Sequence, residues 1–294
     1  MSAAQKGFRQ ADDSYGPNPW QQAHWDWRAA GNFMCGGAGG GLVAFTVVAG
    51  TPRPVATLLL LAGLGLVGLG LLCVWLEIGR PLRALNVFLN PRTSWMTREA
   101  LVSLVLFGLG LGFVAGVDAW GLPIVLAALG FMYCQARIVQ AARGIPAWRE
   151  PLTVPLLIAT GLAEGAGLFW LATAWQGRAG AMLAALFGAL VLGRWLLWRA
   201  WRRRIAPSAA PKALAAIDRN GQSLQWLGGA ASLALIALPA TGLVGGAWAA
   251  SLLAVAGLLV AATGLLFKFT LITRASFNQG FALKRLPVRG VPRT

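Results

Sequence analysis

Nine acidic residues are all that this sequence offers for acid–base chemistry, and two of them, Glu77 and Glu99, bracket one short segment, LEIGRPLRALNVFLNPRTSWMTREA. The segment also carries Arg80, Arg83, Arg92, Arg98 and Trp95, and it joins two long apolar runs. Such a place suits a lipid-borne quinone. The ring is apolar and arrives through the bilayer, its two oxygens each need a hydrogen-bond partner, and its two-electron chemistry needs a proton route to water. An interfacial carboxylate can exchange that proton as a general acid or base. Trp95 could pack on the ring or anchor the loop in the interfacial aromatic belt. The structural alternative for Glu99 is a helix start, with Thr97 as N-cap and the carboxylate favouring the helix dipole. Glu77 ends an apolar run and opposes that dipole, with Arg80 and Arg83 at hand to compensate. Glu77, Arg80, Trp95 and Glu99 are the expected quinone-binding residues.

Glu164 lies near the middle of another apolar run. An ionisable group at that depth costs at least ~2.5 kcal/mol on insertion scales and marks a functional candidate. Counting from the next turn, near Gly177, Arg194 on the following run sits within ~6 Å of the same depth at 1.5 Å per residue. The two readings are a structural ion pair between Glu164 and Arg194, or a proton relay. Asp12, Asp13, Asp26, Glu150 and Asp218 fall in solvent-side segments, and Asp118 in a tight turn.

The scarce residues exclude much. The single histidine, His24, precedes the first apolar run, so a haem held by two histidines on facing helices is impossible. Cys35, Cys73 and Cys134 are widely spaced, which rules out iron–sulfur and structural zinc sites; they read as small buried hydrophobes. Neither haem nor metal is expected on this chain.

These residues must be positioned by membrane helices. Of 294 residues, 57% are hydrophobic and only 12% charged, and mean hydropathy is +0.65. Soluble domains carry about 25% charged residues. Eight apolar runs are long enough to span a bilayer: Ala29–Gly50, Pro54–Glu77, Glu99–Val117, Ala119–Val139, Leu152–Trp175, Gly180–Trp198, Leu224–Ala247 and Trp248–Ile272. None alternates polar with apolar residues, so helices are expected rather than a barrel. Runs 3/4 and 7/8 are joined by almost nothing and predict tight hairpins. The fold class is therefore an all-α membrane protein, a bundle of eight transmembrane helices. Residues 1–28 form a cytoplasmic segment, 29–272 the helical domain and 273–294 a cytoplasmic tail. The start, MSAAQKGFRQADDSYGPNPW, has no apolar stretch, so no cleavable signal peptide is expected.

The net charge of +16 lies in the connections and reads as topology rather than nucleic-acid binding. Assigned to the nearest connection, every Lys and Arg except Arg53 and Arg178 falls on the side holding both termini. The positive-inside rule puts that side in the cytoplasm of a prokaryotic inner membrane. Glycines four apart (Gly108/Gly112/Gly116, Gly36/Gly40, Gly161/Gly165) predict close helix packing. Pro239 predicts a kink in the seventh span. WRRRIAPSAAPKALAAIDRNGQS reads as a basic loop that attracts anionic lipid headgroups or helps dock a partner.

Two stretches carry a resemblance. Glu77-Ile78-Gly79-Arg80-Pro81-Leu82-Arg83-Ala84-Leu85-Asn86, with Thr93 through Glu99, resembles the membrane-anchor subunit of the dimethyl sulfoxide reductase family. That family's pattern is roughly H-x-G-x-P-x-R-A-x-N followed by a serine-rich turn ending in Glu. RIVQAARGIPAWREPLT, from Arg137 to Thr153, resembles its arginine-containing segment before a proline-started fifth helix. The resemblance implies an anchor without haem that exchanges electrons with menaquinone or ubiquinone. It also implies two partners, a ferredoxin-like iron–sulfur subunit and a catalytic subunit with a molybdenum or tungsten pterin. It places the quinone site at Glu77, where the family has histidine, and at Glu99. Because the motif loop lies on the basic side, the partners are expected on the cytoplasmic face. A secondary transporter is the rival reading, favoured by Glu164 and the Pro239 kink but lacking a matching broken helix in the first half.

Overall fold

The computed structural model describes residues 18–77, 81–176 and 180–280. Helices dominate: α1 Trp27–Val48, α2 Arg53–Glu77, α3 Trp95–Val114, α4 Gly121–Ala141, α5 Thr153–Thr173, α6 Ala181–Ile205, α7 Pro211–Gln225, α8 Ser232–Ala240 and α9 Gly246–Thr273. A 3-10 helix, Pro81–Leu89, precedes α3, a single turn, Pro146–Arg149, precedes α5, and a π-helix, Trp226–Ala231, fuses α7 to α8. No strand occurs among the described residues.

Seven of these helices are long and apolar enough to cross a membrane. Their surface is inverted relative to a soluble protein. Leu58, Leu104 and Leu122 are each more than half exposed, whereas Glu164 and Lys268 are almost wholly buried. Apolar groups outside and charges inside describe a multi-pass membrane protein.

The first six expected spans match α1–α6, and the eighth matches α9, to within a few residues at most ends. The seventh does not. Residues 211–240 form one helical rod in three parts, and the segment read as a basic loop is largely helix: α6 runs on to Ile205 and α7 begins at Pro211. Proline fits the first helical turn, where its missing N–H costs nothing. The rod ends at Ala240, so Pro239 closes a helix instead of kinking one, and the turn at Gly242 has φ +74°. The break in regularity is the π-helix.

α1 and α5 form the centre. α1 packs on α2, α4, α5 and α9, and α5 on α9 and α6. Glycine makes these approaches possible. A Cβ at Gly165 would enter the backbone of Gly41 and Leu42, and one at Gly167 would lie 2.6 Å from the Gly257 carbonyl oxygen. The Gly108/Gly112/Gly116 repeat is different. Gly108 faces open space, Gly112 receives the Trp120 ring, and Gly116 takes φ +117° in the α3–α4 turn. That spacing marks one contact and one turn rather than a helix–helix ridge.

One end of the bundle gathers the α2–α3, α4–α5 and α6–α7 connections with both flanking segments. Arg28 Nη1 donates to the Leu76 carbonyl (3.0 Å), Arg204 pairs with Glu150 (3.4 Å), and Arg149 Nη1 donates to Gln279 Oε1 (2.9 Å). Trp148, on the single turn, donates to the Leu271 carbonyl (2.9 Å) and stacks on Trp25 at 4.8 Å, while Trp201 donates to Thr153 Oγ1 (2.9 Å). These contacts knit the basic end into a fixed platform. At the opposite end Arg53 pairs with Asp118.

Candidate functional site

α3 begins one turn earlier than its sequence suggests. Ser94, not Thr97, is the N-cap, and its Oγ accepts from Thr97 N at 3.3 Å. Glu99 therefore lies in the second helical turn, is only 4% exposed, and points into the bundle instead of capping its own helix. Asn32 Nδ2 on α1 donates to Glu99 Oε1 (3.1 Å). Gln135 Nε2 on α4 donates to both the backbone carbonyl (3.0 Å) and the Oδ1 (3.3 Å) of Asn32. Buried polar groups need such partners, and here one amide orients the next toward the carboxylate.

Trp95 stands four residues before Glu99, on the same side of α3. Two guanidinium groups lie over its ring, Arg98 at 4.2 Å and Arg137 at 4.6 Å from the centroid, and it meets Tyr133 edge-on at 5.6 Å. Arg98 is itself fixed by the carbonyls of Pro91 (2.8 Å) and Arg92 (2.7 Å), and Arg137 Nη1 donates to the Tyr133 hydroxyl (3.2 Å). Cation–π contacts of this kind contribute about 0.5–2 kcal/mol each. The α3–α4 seam thus carries a half-exposed aromatic–arginine lattice directly outside a buried carboxylate.

Glu77 belongs to a different neighbourhood. It lies at the end of α2, within electrostatic reach of Arg28 and Asp26. Asp26 caps α1, accepting from Arg28 N (2.8 Å) and from the Arg28 guanidinium (2.9 Å). These hydrogen bonds hold the Asp26 carboxyl below the usual aspartate range. Arg80 lies outside the described residues.

Glu164 pairs with Lys268 of α9, at 2.5 Å, and not with Arg194. Depth counting brought Arg194 level with Glu164 but carried no information about which way each helix faces. Arg194 is buried, and its guanidinium donates to Val260 O (2.8 Å) and to Gly228 O (2.5 Å), a carbonyl of the π-helix. Its charge also reaches Glu164. Lys268 was legible in the sequence as a lone lysine in GLLFKFTLIT, an apolar run, yet it reads there as part of the C-terminal basic side. Asn32 and Gln135 gave no signal, because an amide inside an apolar run has no motif.

A cavity of about 10 Å³ is lined by Phe33, Gly37, Met132, Gln135, Leu157 and Lys268 among others, and so touches both buried clusters. A larger one, about 140 Å³, lies at the opposite end between the α1–α2 turn, Trp170 and Leu183.

No family model matches the chain. It is similar to a sulfite dehydrogenase subunit of Allochromatium vinosum, with 31% identity over 156 residues. The match covers 46% of this chain and 44% of that protein, so the chain spans less than half the length of the curated relative it matches. The likeness is to a subunit of an oxidoreductase, the general kind indicated by the Glu77–Glu99 motifs, and it reaches no further than that kind.

Proposed function

We propose that the chain is the membrane-anchor subunit of an oxidoreductase complex and exchanges electrons and protons with quinone at the α3–α4 seam. The observation that carries this reading is the burial of Glu99 immediately inside the Trp95–Arg98–Arg137 lattice, at the basic end of the bundle. When bound, a quinone supplies a two-electron, two-proton couple. The residues fit such a group. Glu99 holds or releases a proton, Asn32 fixes its Oε1, and Trp95, fixed by two arginines, gives with the exposed Tyr133 ring an aromatic edge for an apolar ring. Arg98 and Arg137 supply positive charge where reduction concentrates negative charge. Glu77, at the end of α2, and Arg80, which follows it in sequence, are proposed as further members of the site.

The basic end would face the cytoplasm and dock the redox partners, an iron–sulfur subunit and behind it a molybdenum or tungsten pterin subunit. The similarity to a sulfite dehydrogenase subunit supports redox partners in general. The catalytic substrate would then be cytoplasmic, and electrons could flow toward quinone.

The test is Glu99→Gln in the intact complex. Quinone-coupled turnover falls by at least about 100-fold, the lower range for a lost acid–base group, while activity with an artificial dye at the catalytic subunit is unchanged. Unaltered quinone kinetics would remove Glu99 from the site and end this reading.

A further inference from the structure

Glu99 and the Glu164–Lys268 pair are separate clusters by hydrogen bonding, but one cavity of about 10 Å³ is lined by a member of each. Gln135 belongs to the first cluster and Lys268 to the second, and both line it. Lys268 Nζ lies against Gly37, another lining residue, where an added Cβ would collide with it. About 10–15 Å³ is the room one water requires, and the site offers it an ammonium donor and an amide.

We infer that one water completes a continuous hydrogen-bond chain from Lys268 through Gln135 and Asn32 to Glu99, making Gln135 and Asn32 positioning residues that let the mid-bundle ion pair act on that carboxylate. Donors along this chain run one way. Lys268 Nζ donates to the water, the water to Gln135 Oε1, Gln135 Nε2 to Asn32 Oδ1 and Asn32 Nδ2 to Glu99 Oε1. A chain with a cation at one end and a carboxylate at the other polarises every link in the same sense, and such chains strengthen cooperatively in a low-dielectric interior. Glu164 holds Lys268 at the far end with one oxygen, Oε2; its other oxygen, Oε1, is buried without a hydrogen-bond partner. The charge state of the pair is thereby felt at Glu99. Amides relay hydrogen-bond polarity and not protons, so the chain tunes Glu99 without carrying its proton to Lys268. Its functional meaning rests on the quinone reading of Glu99; the chain itself does not.

The experiment uses the full chain in phospholipid vesicles, with no quinone added. Infrared spectra identify the Glu99 carboxyl band as the one lost in Glu99→Gln. The double change Glu164→Gln/Lys268→Met shifts that band in the otherwise unaltered chain, and leaves it in place in a Gln135→Met background, where the chain is already cut. A band unmoved in the first background, or moved equally in both, overturns the inference. Should the double variant fail to fold, Gly37→Ala displaces Lys268 Nζ while keeping both charges, and is read in the same two backgrounds against the same two outcomes. If the band behaves as expected while Glu99→Gln leaves quinone turnover intact, the quinone reading falls and the chain stands.

Discussion

Lys268 Nζ and Glu164 Oε2 meet at 2.5 Å although their helices enter the bundle from opposite ends. α5 starts at the basic end and Glu164 is eleven residues in, about 16 Å down the axis; α9 finishes there and Lys268 is five residues from its last, about 7 Å down. Side chains lean toward their own helix N-terminus. Glu164 therefore tilts up and Lys268 down, and the ~9 Å between their levels is what a glutamate and a lysine span together. Removing one member strands a buried charge, whereas replacing both by apolar or neutral groups of like size is often tolerated. Lys268→Met and Glu164→Gln should each destabilise the protein by about 3–5 kcal/mol, and the double variant should melt near wild type. Thermal unfolding in detergent distinguishes this from independent, additive losses.

How far the sequence speaks is visible in that pair. Glu164 was conspicuous because a carboxylate in an apolar run has no bland explanation. Its partner is not legible there, because depth along a helix follows from counting residues, while the direction a residue faces follows only from packing. The same limit governs Glu99. The sequence puts it at the helix start when it lies in the second turn: Ser94 and Thr97 are both acceptable caps, and that choice alone decides whether the carboxylate caps its own helix or points inward. Seven spans, all but the seventh of the eight expected, are legible from hydropathy. The α7–α8 rod was not, because its amphipathic first half, PKALAAIDRNGQSLQ, has the charge of a loop and the periodicity of a helix.

Glycines four apart are not equivalent. A Cβ at Gly165 would run into the backbone of Gly41 and Leu42, which cannot move without separating α1 from α5. Gly165→Ala should cost about 1–3 kcal/mol or more, the range for overpacking. Gly108 is exposed with nothing near it, so Gly108→Ala should be neutral or slightly stabilising, as alanine favours a helix by up to about 1 kcal/mol over glycine. Folded yield and melting temperature of the two variants should diverge accordingly.

Arg194 uses the fork of its guanidinium to serve two carbonyls on different segments, Val260 and Gly228. Lysine presents a point charge and cannot reproduce that geometry. Arg194→Lys should leave a carbonyl of the π-helix unmet, at about 1–3 kcal/mol. Hydrogen exchange should then accelerate across Trp226–Ala231 and α8 while α2 and α3 keep their protection. Uniform acceleration would mean that Arg194 supports the bundle in general and not the π-helix in particular.

Asp26 makes a prediction with a definite sign. Its pairing with Arg28 and its cap contact depress the carboxyl below the unfolded value near 3.9. A group lowered on folding contributes stability that is fully present above the unfolded value and is lost as pH falls through the folded one. Asp26→Ala should lower the melting temperature at pH 6, and the gap to wild type should close as pH drops below about 4. A gap that persists at low pH would assign the loss to packing rather than to the charged cap.

Sidedness gives the last prediction. The contacts of Arg28 with Leu76, Arg204 with Glu150 and Arg149 with Gln279 tie three connections and both flanking segments to one end, while Arg53 and Asp118 meet at the other. Cations are retained on the cytoplasmic side during insertion, so the crowded end should face inward. A reporter active only in the periplasm should be silent when fused after residue 280 and active when inserted in the α1–α2 turn at Gly50. The reverse pattern would place the Trp95–Glu99 seam outside the cell and separate it from any cytoplasmic electron donor.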